Sequence, residues 1–276
     1  MPSKLTRLFF MLMIAAAAVY AAQGPSAPAP PAASQTAPQS STTAPQQTAP
    51  PPSPAPAPAQ PSLEPTAPPQ KTLGVVIVDP AHGGADPGAR GSSGIAESEV
   101  VLGYARLLRI SLEAQGMRVL LTRQANDDPS FDDRSRLANS YRNGVFISLH
   151  VSSTGQPGTV RVYSMARMAT AQNSASAPRG GLLPWDRAQN NFIDQSRRLA
   201  ELIQIQMAQR FHGSSETPFE APVRQLRTVG APAVAIEVSS VSVPERGPLD
   251  QMGSGIADGV ARAVAAFRTI YESGGR

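Results

Sequence analysis

The sequence predicts one α/β catalytic domain, a mostly parallel twisted sheet flanked by helices, preceded by a signal peptide and a disordered Pro/Ala-rich linker. Three observations carry this expectation. Short β-branched runs alternate with longer stretches of helical periodicity, the pattern of a parallel sheet with crossover helices. The run Val75, Val76, Ile77, Val78 is apolar at every position, as in a strand covered on both faces. Of the 28 prolines in the 276-residue chain, 16 lie between Gln23 and Gln70, so the proline excess belongs to one segment and leaves about 205 residues to fold as one domain.

Residues 1–22 read as a secretory signal peptide. Lys4 and Arg7 precede an apolar run from Leu8 to Tyr20, and Val19 and Ala21 make a small-x-small cleavage site before Gln23. The run falls short of the roughly 18 to 20 residues that span a bilayer, so cleavage is expected over retention as an anchor, with export to the periplasm or cell envelope. Residues 23–71 hold Pro, Ala, Ser, Thr and Gln with Leu63 as the one large aliphatic residue, too little apolar surface to offset the entropy of ordering. They read as a semi-rigid tether rather than a docking ligand for a proline-recognition module.

The domain is expected over residues 72–276. The strand Val75 to Val78 ends at Asp79-Pro80. From Glu97 through Gln115, Val100, Val101, Tyr104, Leu107, Leu108 and Leu112 recur at helical steps, and Gly116 stops the helix. Met117 to Thr122 reads as the next strand, Phe131 to Arg142 as a helix closed by Asn143-Gly144, and Val145 to Leu149 as a third strand running into His150. Thr159 to Tyr163 reads as a strand, Asp186 to Phe211 as one long helix, Ala233 to Val238 as a buried strand and Leu249 to Tyr271 as the closing helix.

In open parallel sheets ligands sit beyond the carboxyl ends of the strands. His82, His150 and Glu237 fall at three such ends, and the chain has only three histidines. With no cysteine, disulfides, thiolate metal sites and a cysteine nucleophile are excluded. Two imidazoles suit zinc, whose catalytic sites take three protein ligands, and Glu97 is the natural third because the glycines between His82 and Glu97 let that connection fold back. His212 is expected to cap a helix end rather than bind metal, Trp185 to anchor packing rather than stack on sugar, and Arg123 to hold a loop by a salt bridge. The net charge of +4 invites a nucleic-acid reading, but outside the signal the cations are arginines apart from Lys71 and form no run, so no nucleic-acid partner is expected.

Five ordered blocks carry a family resemblance. Asp79-Pro80-Ala81-His82-Gly83-Gly84-Ala85-Asp86-Pro87-Gly88-Ala89, then Gly94 to Val100, Leu121-Thr122-Arg123 with Arg134 to Asn139, Phe146 to His150 and Pro232 to Val238 together resemble the zinc-dependent N-acetylmuramoyl-L-alanine amidases, cell-wall hydrolases of the amidase-3 type. The resemblance implies Zn2+ held by His82, Glu97 and His150, with Glu237 as the catalytic acid/base, acting on the amide between N-acetylmuramic acid and L-alanine of peptidoglycan. It leaves open a non-catalytic peptidoglycan-binding or regulatory protein on the same fold, and a zinc peptidase cutting within the stem peptide. Val151 and Ser152 after His150, and Val238, Ser239 and Pro244 after Glu237, depart from the family pattern at positions that shape the crevice. The segment between Ser164 and Asp186 is shorter than the insertion that blocks the metal in some family members, so no built-in block is expected. A monomer is expected, meeting a membrane only through an uncleaved signal, with room for an unidentified activator.

Overall fold

The computed structural model describes residues 72–167 and 185–273. The predicted signal peptide, the linker and most of the segment between Ser164 and Asp186 lie outside the described residues. A six-stranded sheet has the order β2-β1-β3-β6-β4-β5, with β1 (Val75–Pro80), β2 (Val119–Leu121), β3 (Gly144–Ser152), β4 (Thr159–Met165), β5 (Phe219–Ala221) and β6 (Ala233–Ser239). β2, β1, β3 and β6 run parallel; β4 runs antiparallel to β6 and parallel to β5. The mostly parallel sheet matches the sequence reading.

The two faces are covered unequally. α1 (Glu97–Ala114), α3 (Ile193–Arg210) and α5 (Gly247–Glu272) cover one face, where Val76, Val78, Val145, Ile147 and Leu149 meet Leu108, Ile203 and Val260. On the other, Val75, Ile77, Phe146, Ala233 and Ala235 meet Ala138 of α2 (Phe131–Asn139) and Leu226 of α4 (Arg224–Arg227). Alternate side chains of β1 therefore enter different cores, which is why its run is apolar throughout.

α2 starts on a capping box: the Ser130 hydroxyl accepts from the Asp133 amide at 3.2 Å while the Ser130 amide donates to the Asp133 carboxylate at 3.3 Å. It ends at Asn139, three residues before the expected end, because the Asn139 side chain is tied to Thr228 O and the Gly230 amide and the chain must enter β3 at Gly144. The expected single helix from Asp186 is in fact a 3-10 turn, Trp185–Phe192, followed by α3. Gln189 in that turn is buried and donates to Val229 O and Ala231 O at 2.7 and 2.8 Å, so it is tied to the loop before β6. No described helix is long and apolar enough to cross a membrane.

Candidate metal centre

His82 lies two residues beyond β1, Glu97 is the first residue of α1, and His150 lies within β3. The three bring ligand atoms to within 4.8 Å of one another. His82 Nε2 is 3.3 Å from Glu97 Oε2, and His150 Nδ1 is 3.0 Å from Glu97 Oε1. His150 is two residues short of the end of its strand, not its terminator as the sequence suggested. The Val151 amide that β3 thereby continues into donates to Glu97 Oε1 at 3.0 Å. This departure from the family pattern therefore contributes its main chain, which any non-proline side chain would leave intact.

The return from His82 to Glu97 is closed by main-chain bonds. The Glu97 amide donates to Ala89 O at 2.9 Å and the Ala89 amide donates back to Glu97 Oε2 at 2.8 Å. Gly88, at φ +65°, passes so close beneath the cluster that a Cβ there would stand 2.5 Å from Glu97 Oε2 and 2.6 Å from His82 Cδ2. His82 itself adopts φ +60°, an uncommon conformation for a non-glycine residue, and its carbonyl accepts from Arg134 Nη2 at 2.9 Å.

Both imidazoles have one nitrogen occupied away from the cluster. His82 Nδ1 is 2.7 Å from Asp86 Oδ2, so Nδ1–H donates to the carboxylate and Nε2 faces Glu97. Ser148 Oγ donates to Asp79 Oδ2 at 2.8 Å, so at 3.3 Å it can only accept from His150 Nε2–H, leaving Nδ1 toward Glu97. Asp79 is buried and pairs with buried Arg134 at 2.6 Å. Asp86, Asp79, Ser148 and Arg134 were not singled out by sequence, although Asp79, Asp86, Arg134 and Ser148 all stand inside the family-like blocks.

Electrostatically the cluster favours positive charge. The hydrogen bond to Glu97, with Asp86 adding to it, raises the His82 imidazole to about 9 against the opposing effect of burial. Burial pushes the Glu97 carboxyl up, but hydrogen bonds from His150, His82 and the Ala89 amide outweigh it and hold the group well below the usual carboxylate range. A buried carboxylate flanked by two imidazoles with outward nitrogens engaged is a donor set that fits a divalent cation such as zinc.

Glu237 is in register with His150 across β6 and β3, and with Arg161 across β6 and β4. Tyr163 OH donates to its Oε1 at 3.4 Å and Arg161 Nη1 lies 3.6 Å from the same atom. Burial, then the Glu237 charge, raise the Tyr163 phenol, which keeps it a neutral donor. A cleft of about 360 Å³ lined by His82, Asp86, Phe131, Arg134, His150 and Gln225 adjoins one side of His150. One of about 320 Å³ lined by His150, Tyr163, Ala221, Val223, Ala235 and Glu237 adjoins the other.

Three secondary expectations change. Arg123 holds the loop after β1 through hydrogen bonds to Pro80 O, Ala81 O, Ser98 O and Ala125 O, not through a salt bridge among the described residues. Trp185 is 51% exposed and lines a groove with Asp132, Arg136, Asn139 and Ser140, so it is not a packing anchor. His212 stands exposed beyond α3, outside the metal cluster, and the Phe211 amide, donating to Met207 O, closes that helix.

Residues 76–265 match the Amidase_3 family model, described as N-acetylmuramoyl-L-alanine amidase. The chain is 29% identical over 218 residues to N-acetylmuramoyl-L-alanine amidase AmiC of Neisseria meningitidis serogroup B, a match covering 69% of this chain and 52% of that protein. The chain thus spans about half the length of that relative. It is 27% identical over 217 residues to AmiA of Escherichia coli, covering 67% of this chain and 74% of that one. Among solved structures, N-acetylmuramoyl-L-alanine amidase AmiC2 of Nostoc punctiforme superposes with a TM-score of 0.55 at 23% identity, over 71% of this chain and 97% of that one, a likeness of fold.

Proposed function

The chain belongs to the N-acetylmuramoyl-L-alanine amidase family, and from that premise we propose that it is an exported peptidoglycan hydrolase that uses zinc to cut the amide between N-acetylmuramic acid and L-alanine. The observation that carries the reading is the convergence of His82, Glu97 and His150 within 4.8 Å, with the Glu237 carboxylate in register beside His150. Zinc bound by those three residues would supply Lewis acidity, polarising the scissile carbonyl and lowering the pKa of water.

The chain's own residues do the rest. Asp86 and Ser148 hold the two imidazoles in the tautomers that leave His82 Nε2 and His150 Nδ1 as ligands. Tyr163 and Arg161 engage Glu237 Oε1, which leaves Oε2 to take the proton from the attacking water and return one to the alanine nitrogen as the amide breaks. The clefts on either side of His150 give the glycan and the stem peptide separate walls.

Residues 1–22 would deliver the enzyme to the envelope and residues 23–71 would let the domain reach the wall as a monomer. Incubating the protein with purified sacculi, with and without chelator, tests the reading. Free stem peptides beginning with alanine, lost on chelation, are expected. Internally cut stem peptides would point to a peptidase, and binding without release to a scaffold. Glu237→Gln should lower kcat by about 10²- to 10⁴-fold while leaving zinc content unchanged.

A further inference from the structure

Gln225 carries polar groups that nothing among the described residues uses. It sits in the single turn of α4, is 5% exposed, and lines the cleft that also holds His82, Asp86 and His150. Neither its Oε1 nor its Nε2 has a hydrogen-bond partner among the described residues. Three other carboxamides, buried Gln189 and Gln204 and half-buried Asn139, are satisfied at both ends. Gln189 donates to Val229 O and Ala231 O and accepts from Ser196; Asn139 donates to Thr228 O and accepts from the Gly230 amide. Gln204 donates to Ser215 O and accepts from the Val162 amide. Against that background an amide with both ends idle is a destabilising exception, of the kind kept where a ligand supplies the missing partners.

The turn that bears it is fixed. Leu226 is buried in the smaller core, and the Arg224 guanidinium lies 4.4 Å from the centre of the Phe131 ring at the start of α2. The backbone of Gln225 is thereby held at the cleft wall while its side chain gives up no hydrogen bond by rotating. A primary carboxamide offers both a donor and an acceptor; a trans secondary amide turns its N–H and C=O in opposite directions, so such a group in the cleft would meet one end of the side chain with one hydrogen bond.

We propose that Gln225 is a specificity-determining residue whose carboxamide turns into the cleft and hydrogen-bonds to the C=O or the N–H of a secondary amide of the substrate next to the scissile bond. The inference rests on the amidase reading, because that substrate carries two such groups: the acetamido group of the sugar and the next peptide bond of the stem.

The test compares the full chain with Gln225→Met, close in shape but without the amide, on a soluble muropeptide. KM is expected to rise about tenfold with kcat kept, the effect of losing about one net hydrogen bond. Tm is expected to rise by about 2–4 °C because the unpaired buried amide is gone. On a substrate lacking the N-acetyl group the KM difference vanishes if the sugar is the partner; on N-acetylmuramoyl-L-alanine, which has no further peptide bond, it vanishes if the stem is. An unchanged KM on the complete muropeptide overturns the proposal, as does a lower Tm with kcat and KM both altered, which marks a structural role. If the wild type releases no peptide, the amidase reading has failed. Calorimetric binding of the same muropeptide then decides for Gln225: a tenfold weaker Gln225→Met supports the proposal and equal affinity overturns it.

Discussion

Replacing Gly88 by alanine tests whether the loop between His82 and Glu97 is built to seat the metal ligands. The new Cβ would stand 2.5 Å from Glu97 Oε2 and 2.6 Å from His82 Cδ2, some 0.8 to 0.9 Å inside ordinary contact at 3.4 Å. Metal–ligand distances tolerate only about ±0.2 Å, so relieving the clash would move two of the three proposed ligands beyond that tolerance. Zinc affinity should fall by about 100-fold, the upper end of what outer-shell disruption costs. The positive φ adds about 1–2 kcal/mol of backbone strain, or about 2–8 °C in Tm for a domain of this size. Gly116→Ala is the control: its φ is +74°, yet nothing lies within 4 Å of its Cβ. Competition titration against a chromophoric chelator separates the two effects. Gly116→Ala should lose stability and keep wild-type zinc affinity, while Gly88→Ala loses both. Wild-type affinity in Gly88→Ala, or an equal loss in Gly116→Ala, would refute the reasoning.

Three further outcomes are expected. Arg134→Met leaves the buried Asp79 carboxylate without its cation and removes the bond to His82 O; unfolding in urea should register a loss of about 3–5 kcal/mol, and a loss under about 1 kcal/mol would mean the ion pair is dispensable. Asp86→Asn weakens the hold on His82 Nδ1, so chelator competition should show zinc bound about 10- to 100-fold more weakly, with kcat recovered at saturating zinc. Because only 19 residues separate Met165 from Trp185, the protein should digest sacculi without an added activator; strict dependence on a partner protein would overturn that expectation.

The two histidines proposed as metal ligands were legible because each follows or lies in a strand that composition alone marks as buried. Val75 to Val78 announces β1 and therefore His82; Val145 to Leu149 announces β3 and therefore His150. What was hidden depends on partners distant in sequence or on elements too short to show a period. Ser148 reads as a core serine until Asp79, 69 residues away, meets its hydroxyl. β5 has three residues and α4 four, less than two turns of any pattern, so Gln225 could not be placed on the cleft wall. The reversed direction of β4 leaves no local trace either, yet it sets Arg161 and Tyr163 beside Glu237.

The position of the site follows from the unequal covering of the sheet. On the face of the smaller core, three central strands repeat one progression toward their carboxyl ends: Val75, Ile77, Asp79 in β1; Phe146, Ser148, His150 in β3; Ala233, Ala235, Glu237 in β6. At two residues per step these side chains share a face, apolar at first and then polar, with Asp79 and Ser148 still buried and Asp79 paired to Arg134 of α2, while His150 and Glu237 further along are half-exposed beyond the helices. The reason is length. β3 has nine residues and runs about 30 Å, whereas α2, also nine residues, reaches about 13 Å and α4, with four, about 6 Å. On the opposite face helices of 18, 18 and 26 residues leave no such gap, and Val151 and Val238 stay in the larger core to the strand ends. Shifting β3 by one residue would exchange His150 for Val151 on the open face and break the His82, Glu97 and His150 cluster, so the alternation that builds the two cores also fixes which side chains can reach the proposed metal site.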